Sequence, residues 1–143
     1  MNREILFRAK CFGNWRYGSY VHFDKKPTHN CYNCNYKDFI VTNEEDGEHY
    51  YPITELSSIG QYTGLKDKNG KKIFEGDILE YIGKRKDNMN KVYRRKVVFH
   101  EGMFTLLSKE LQAYSALKHH CMEDGRSAWR VIGNIHDNPE LIE

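Results

Sequence analysis

What this sequence lacks narrows it first. No stretch approaches the ~20 consecutive apolar residues that a membrane-spanning helix needs. The N-terminal segment MNREILFRAKCFG has no long apolar stretch and no cleavage site, so a cytoplasmic protein is expected. Cysteine is scarce: only Cys11, Cys31, Cys34 and Cys121 occur, and without a secretory signal they are expected to stay reduced. An excess of charge of one sign is missing too. Twenty-two Lys and Arg against 20 Asp and Glu leave +2, which argues neither for nor against a nucleic-acid partner.

Catalytic signatures are equally absent. There is no H-E-x-x-H and no G-x-S-x-G. The histidines at 22, 29, 49, 100, 119, 120 and 136 are scattered, without a local partner that would make one a base. Glu75 and Asp77 could share a face of an extended run, but beside a turn they are expected to be solvated. The stretch HNCYNC sets His29, Cys31 and Cys34 at spacings that could supply half a tetrahedral zinc site. No second close pair completes it, so the expectation is two reduced thiols in a polar loop, with no metal, cofactor or catalytic group. Non-enzymatic action follows as the expectation.

What the chain does contain is strand. Aromatics make up 13% of the 143 residues and hydrophobic residues 39%, enough apolar surface to fold, and crowding of Tyr, Phe, Ile and Val favours pleated, half-buried backbone. REILFRAKCFG alternates, with Ile5, Phe7 and Ala9 on one side, and NWRYGSYVHFD answers it after a Gly13-Asn14 turn. YKDFIVTNEEDGEHYYPI reads as two short strands about the Asp46-Gly47 turn, with a solvated, charged tip.

The glycine-rich stretch IGQYTGLKDKNGKKIFEGDILEYIG invites a phosphate-loop reading. A Walker loop needs Gly-Lys followed by Ser or Thr entering a helix, and here Gly70 leads into Lys71-Lys72-Ile73. The glycines are read instead as turn devices, with Asn69-Gly70 at the centre of a type I′ turn. Next, residues 84–96 carry seven basic side chains and one acid: Lys84, Arg85, Lys86, Lys91, Arg94, Arg95 and Lys96 surround Tyr93. Cations interleaved with an aromatic ring could track a nucleic-acid backbone and stack a base. The same residues also suit a long, charged hairpin loop whose lysines deter sheet-to-sheet aggregation.

Leu107, Leu111, Tyr114, Leu117 and Cys121 then recur at helical spacing, with Ser108 as N-cap and Gly125 as stop. AWRVIGNI closes the chain as a strand. The architecture expected is mostly β with one inserted helix: an N-terminal hairpin lobe over residues 1–57, and an SH3-like partial barrel over 58–143.

Three stretches carry a resemblance: REILFRAKCFGNWRYGSY, IGQYTGLKDKNGKKIFEGDIL and WRVIGNIHDNPELIE. Together, in this order, they resemble the YopX family of phage and prophage proteins. That resemblance implies a small β-rich protein encoded by phages or prophages, often oligomeric. It implies no established activity and no catalytic residues to transfer. Two function classes follow. One is a non-enzymatic accessory protein that binds another protein or self-assembles; many tyrosines suit an interface, and sheet edges favour a homo-oligomer. The other is a nucleic-acid binder using residues 84–96.

Overall fold

The computed structural model describes residues 3–25 and 35–143, without the side chains of 119 and 120. The chain divides into two compact units, residues 1–62 and 63–143. The boundary between them falls inside a twelve-residue strand, β5 (Glu55–Lys66). Among the described residues the protein is mostly β, with two antiparallel sheets and no closed barrel.

The first unit is a meander. β1 (Phe7–Cys11), β2 (Asn14–His22), β3 (Asp38–Glu44) and β4 (Gly47–Pro52) pair in sequence, and β1 also pairs with β5, giving the order β4-β3-β2-β1-β5. Its core is small: Ala9, Cys11, Ile40 and Ile53 are buried, with Phe7, Tyr20, Tyr51 and Ile59 packed against them. The β1–β5 ladder is irregular between Arg8 and Lys10. Ser58 mends it. Its buried hydroxyl accepts the Lys10 N–H at 2.7 Å and donates to the Glu55 carbonyl at 2.5 Å.

In the second unit the end of β5 lies beside β6 (Lys72–Phe74). A five-stranded sheet follows in the order β10-β9-β8-β7-β11. Its members are β7 (Asp77–Ile82), β8 (Val92–His100), β9 (Met103–Ser108), β10 (Ala113–Ala116) and β11 (Arg130–Asn134). Ile73, Leu79, Val97, Leu106, Leu117 and Trp129 form its buried core.

The helix expected over 107–121 does not form. β9 and β10 pair through that stretch, Ala113 opposite Ser108 and Ala116 opposite Thr105. Only a single 3-10 turn, Leu117–His120, follows. The supposed helical face is mostly turned to solvent: Leu111 is 71% exposed, Tyr114 is exposed, and Leu117 alone of the three is buried. The physical reason is that pairing of this stretch with β9 across the Lys109–Gln112 turn outweighs a short helix. The Ser108 hydroxyl does accept the Leu111 N–H at 3.2 Å, but it caps a turn.

The glycine-rich stretch also needs correction. Gly60 and Gly64 lie inside β5 and are not turns. The Asn69-Gly70 turn is not type I′, because Asn69 is absent from the positive-φ residues. Asp67 and Lys71 face each other across a three-residue loop, with Asp67 N–H donating to Lys71 and Gly70 N–H to Asp67. Gly70, at φ +84°, takes the left-handed position that closes this kind of hairpin. Asp67 is buried, and its two oxygens accept from Asn69 N–H and Lys71 N–H at 2.9 Å and from Val131 N–H at 3.0 Å. One carboxylate thus ties the signature loop to the closing strand. Asp77, expected to be solvated, is buried as well and accepts the Phe74 N–H at 2.8 Å.

Candidate functional site

The basic run 84–96 is not one loop. Gly83–Lys91 forms the connection, while Tyr93, Arg94, Arg95 and Lys96 belong to β8 and alternate between its two faces. Strand pairing splits the cations into two groups with different surroundings.

On one face Arg94 is consumed by structure. Glu80, 7% exposed at its side chain, accepts from Arg94 Nε at 3.1 Å and from Arg130 at 2.7 Å. The Arg130 hydrogen bond, opposed by burial and reinforced by Arg94, holds the Glu80 carboxyl below the usual range. This triad straps β7 to both of its neighbours, β8 and β11. Lys96 stands opposite Ile78 on the same side of β8.

On the other face Tyr81 and Tyr93 stand directly across from each other, ring centroids 6.3 Å apart, and Trp129 lies 5.6 Å from Tyr81. The Arg95 guanidinium sits 5.6 Å from the Tyr93 ring and 5.9 Å from Trp129, and the Lys91 ammonium sits 5.2 Å from Tyr93. Tyr81, Tyr93 and Trp129 with Arg85 and Asn88 line a cleft of about 420 Å³, completed by Ala128 and Cys121. Burial pushes the Cys121 thiol up, so it is protonated at neutral pH.

The loop that brings Arg85 and Asn88 to this cleft is held by its own hydrogen bonds. Gly83 and Lys91 close its neck at 2.8 Å, and Asn90 N–H returns to Gly83 at 2.9 Å. Asn88 is the hub: its side-chain oxygen accepts from Arg85 N–H at 2.9 Å, and its carbonyl accepts from Lys91 N–H at 2.9 Å. A side chain at Gly83 would collide with the Asn88 carbonyl, so glycine is required for this approach.

Lys84, Arg85, Lys86 and Lys91 are exposed along the loop, and Tyr93 and Arg95 are half-buried beside the cleft. His29, Cys31 and Cys34 lie outside the described residues. Tyr81, Asn88 and Trp129 escaped the sequence reading. Tyr81 and Tyr93 are brought together by register, which a two-residue alternation in DILEYIG could have suggested once paired with β8.

Among the described residues one other set of potential ligands converges: Glu44, Asp46 and His49 at the exposed β3–β4 tip. His49 lies 2.6 Å from Asp46 and 3.3 Å from Glu44, and its ring stacks on Tyr51. The Asp46 hydrogen bond raises the imidazole pKa and lowers that of the carboxyl. This is an ion-pair clip across the turn.

Fold and site together define a small antiparallel β protein with a cation-rimmed aromatic cleft in its second unit. The chain belongs to the YopX protein family, whose model matches residues 6–143. That match extends well beyond the three stretches quoted above. No curated protein matches the chain. Among solved structures, the crystal structure of protein EF1440 from Enterococcus faecalis is similar. It is 27% identical, with 99% of this chain and 100% of that chain covered and a TM-score of 0.53. No helix among the described residues is long and apolar enough to cross a membrane.

Proposed function

We propose that this YopX-family protein is a phage or prophage accessory protein of the host cytoplasm that acts by binding rather than catalysis, and that its ligand is nucleic acid. One observation carries the reading: Arg95 lies over the rings of Tyr93 and Trp129, and Lys91 over Tyr93, beside a loop bearing Lys84, Arg85 and Lys86. Phosphate attraction and base stacking are thereby available side by side. The loop cations are exposed, whereas Arg94 is held by Glu80 and serves the fold. The test is anisotropy of a fluorescent oligonucleotide titrated with protein at 50 and 200 mM salt. Four phosphate contacts predict about 50-fold weaker binding at the higher salt. Absence of binding at 50 mM, or affinity indifferent to salt, overturns the reading.

A homo-oligomer is a second reading, favoured by β10. It is the end strand of its sheet, and exposed Tyr114 on it stacks with His100, close to exposed Phe99 and Met103. A second copy pairing there would cover edge and rings together. Light scattering after size exclusion checks it: a mass near 17.0 kDa across a tenfold dilution series excludes it.

A further inference from the structure

Resting on the nucleic-acid reading above, we infer that the Tyr81–Tyr93–Trp129 cleft takes a single unpaired base, so that the protein prefers single strands to duplex. The cleft volume, about 420 Å³, lies in the range of small-ligand sites rather than of a groove that follows a double helix. Its lining is largely aromatic: Tyr81 and Tyr93 are half-buried, and Trp129 lines it from within the core. In a duplex both faces of each base are already stacked, so such walls can engage a base only where it is unpaired and splayed out.

The polar groups have the corresponding placement. Arg85 and Asn88 reach the mouth from the 83–91 loop, where the Asn88 amide oxygen is spent on Arg85 N–H and its NH₂ group offers donors to a base edge. Lys91 and Arg95 flank Tyr93, where the phosphates on either side of a stacked base would run. Arg95 spends one N–H on the Arg94 carbonyl at 2.8 Å, which fixes its plane and leaves other N–H groups for phosphate. DNA and RNA strands share this chemistry.

The protein has two tryptophans, Trp15 and Trp129, so the Trp15→Phe variant makes Trp129 the sole tryptophan reporter in the cleft lining. That variant is titrated with dT12, U12, the dA12·dT12 duplex and poly-glutamate, following tryptophan emission and, separately, anisotropy. The expected result is quenching by one or both single strands and at least tenfold weaker binding of duplex. In an Arg85→Gln/Lys91→Gln variant, altered only at exposed loop positions, the single-strand salt slope should fall by about 1.4. Which of dT12 and U12 binds tighter identifies the natural strand. Duplex binding equal to single-strand binding, without quenching, overturns the cleft proposal and leaves the nucleic-acid reading standing. No nucleic-acid binding in either readout removes both. Poly-glutamate binding as tight as dT12 and U12 also removes both and makes this an acidic-protein surface.

Discussion

Both units place cations on aromatic rings, yet the contacts do different work. In the first unit Arg8 lies 4.6 Å from the Trp15 ring and is itself only 5% exposed, and Arg16 lies 4.2 Å from Tyr51. These cations complete the packing of a meander with a small apolar core. In the second unit Arg95 and Lys91 stand 5.6 and 5.2 Å from Tyr93, no farther than Lys10 stands from Trp15 in the first unit (5.6 Å), but Lys91 is exposed, Arg95 is half-buried and a cleft opens beside them. The distance from cation to ring therefore does not mark a binding site. What separates the two is whether the cation can exchange water for a ligand without unfolding anything.

The tryptophans test this contrast with the largest expected effect. Trp129 is buried in the core of the second unit, whereas Trp15 is half-buried on a strand. Trp129→Ala should cost about 3–5 kcal/mol in denaturant unfolding, and Trp15→Ala less than half of that. Equal losses would erase the distinction between a ring that belongs to a core and one that is shielded by a cation.

Glu80 sharpens the comparison between the faces of β7 and β8. Glu80→Ala strips Arg94 and Arg130 of their shared acceptor and should destabilise by about 1–3 kcal/mol, while nucleic-acid affinity at the opposite face stays within twofold. The pH sign follows from a lowered folded-state pKa. The carboxylate's contribution is present above the ordinary glutamate value of about 4.3 and is lost as pH falls through the folded-state value below it. Urea melts of wild type and Glu80→Gln should therefore converge only in that acid window. A gap that persists unchanged once pH has fallen through the folded-state value would remove the ion pairs as its cause.

Much of the fold was legible because strands announce themselves by alternation and hairpins by their turns. The N-terminal hairpin, the β3–β4 pair and the closing strand are where period-two patterning put them. The failures share a cause. Leu111 and Tyr114 fall at helical spacing, but the partner strand β9 decides their conformation, and a local period cannot report a partner. The cleft was half legible: the cations and Tyr93 are close in sequence, while Tyr81 arrives through register between β7 and β8 and Trp129 from the residue just before β11. The Asp67 knot was invisible for the same reason, since Val131 is 64 residues away.

Gly70 offers a smaller, local effect in the second unit. No neighbouring atom lies within 4 Å of where a side chain would be added, so Gly70→Val should act through backbone strain alone, at roughly 1–2 kcal/mol. Gly70→Asn should recover much of the loss, because asparagine tolerates left-handed φ. Thermal melts that do not distinguish the three proteins would mean that this loop contributes nothing to global stability.

The smallest effect returns to the first unit, at the β3–β4 tip. The exposed clip between His49 and Asp46 shifts both groups, with the mutual hydrogen bond as the leading cause for each. The raised histidine value means its contribution is fully present below about pH 6.5, the ordinary value, and fades as pH rises through the folded-state value above it. The lowered aspartate value means its contribution is present above about pH 3.9 and is lost as pH falls through the folded-state value below that. The clip is therefore at full strength only between those limits, where imidazolium faces carboxylate. Asp46→Asn removes the charge and should bring the His49 titration, followed by its imidazole carbon-bound proton resonances, back toward the ordinary value. Glu44, 3.3 Å away and partly exposed, should keep part of the shift. An unchanged His49 midpoint in Asp46→Asn would mean that Glu44 alone holds the imidazolium, and the clip would then join β3 to β4 across the ladder rather than close the turn.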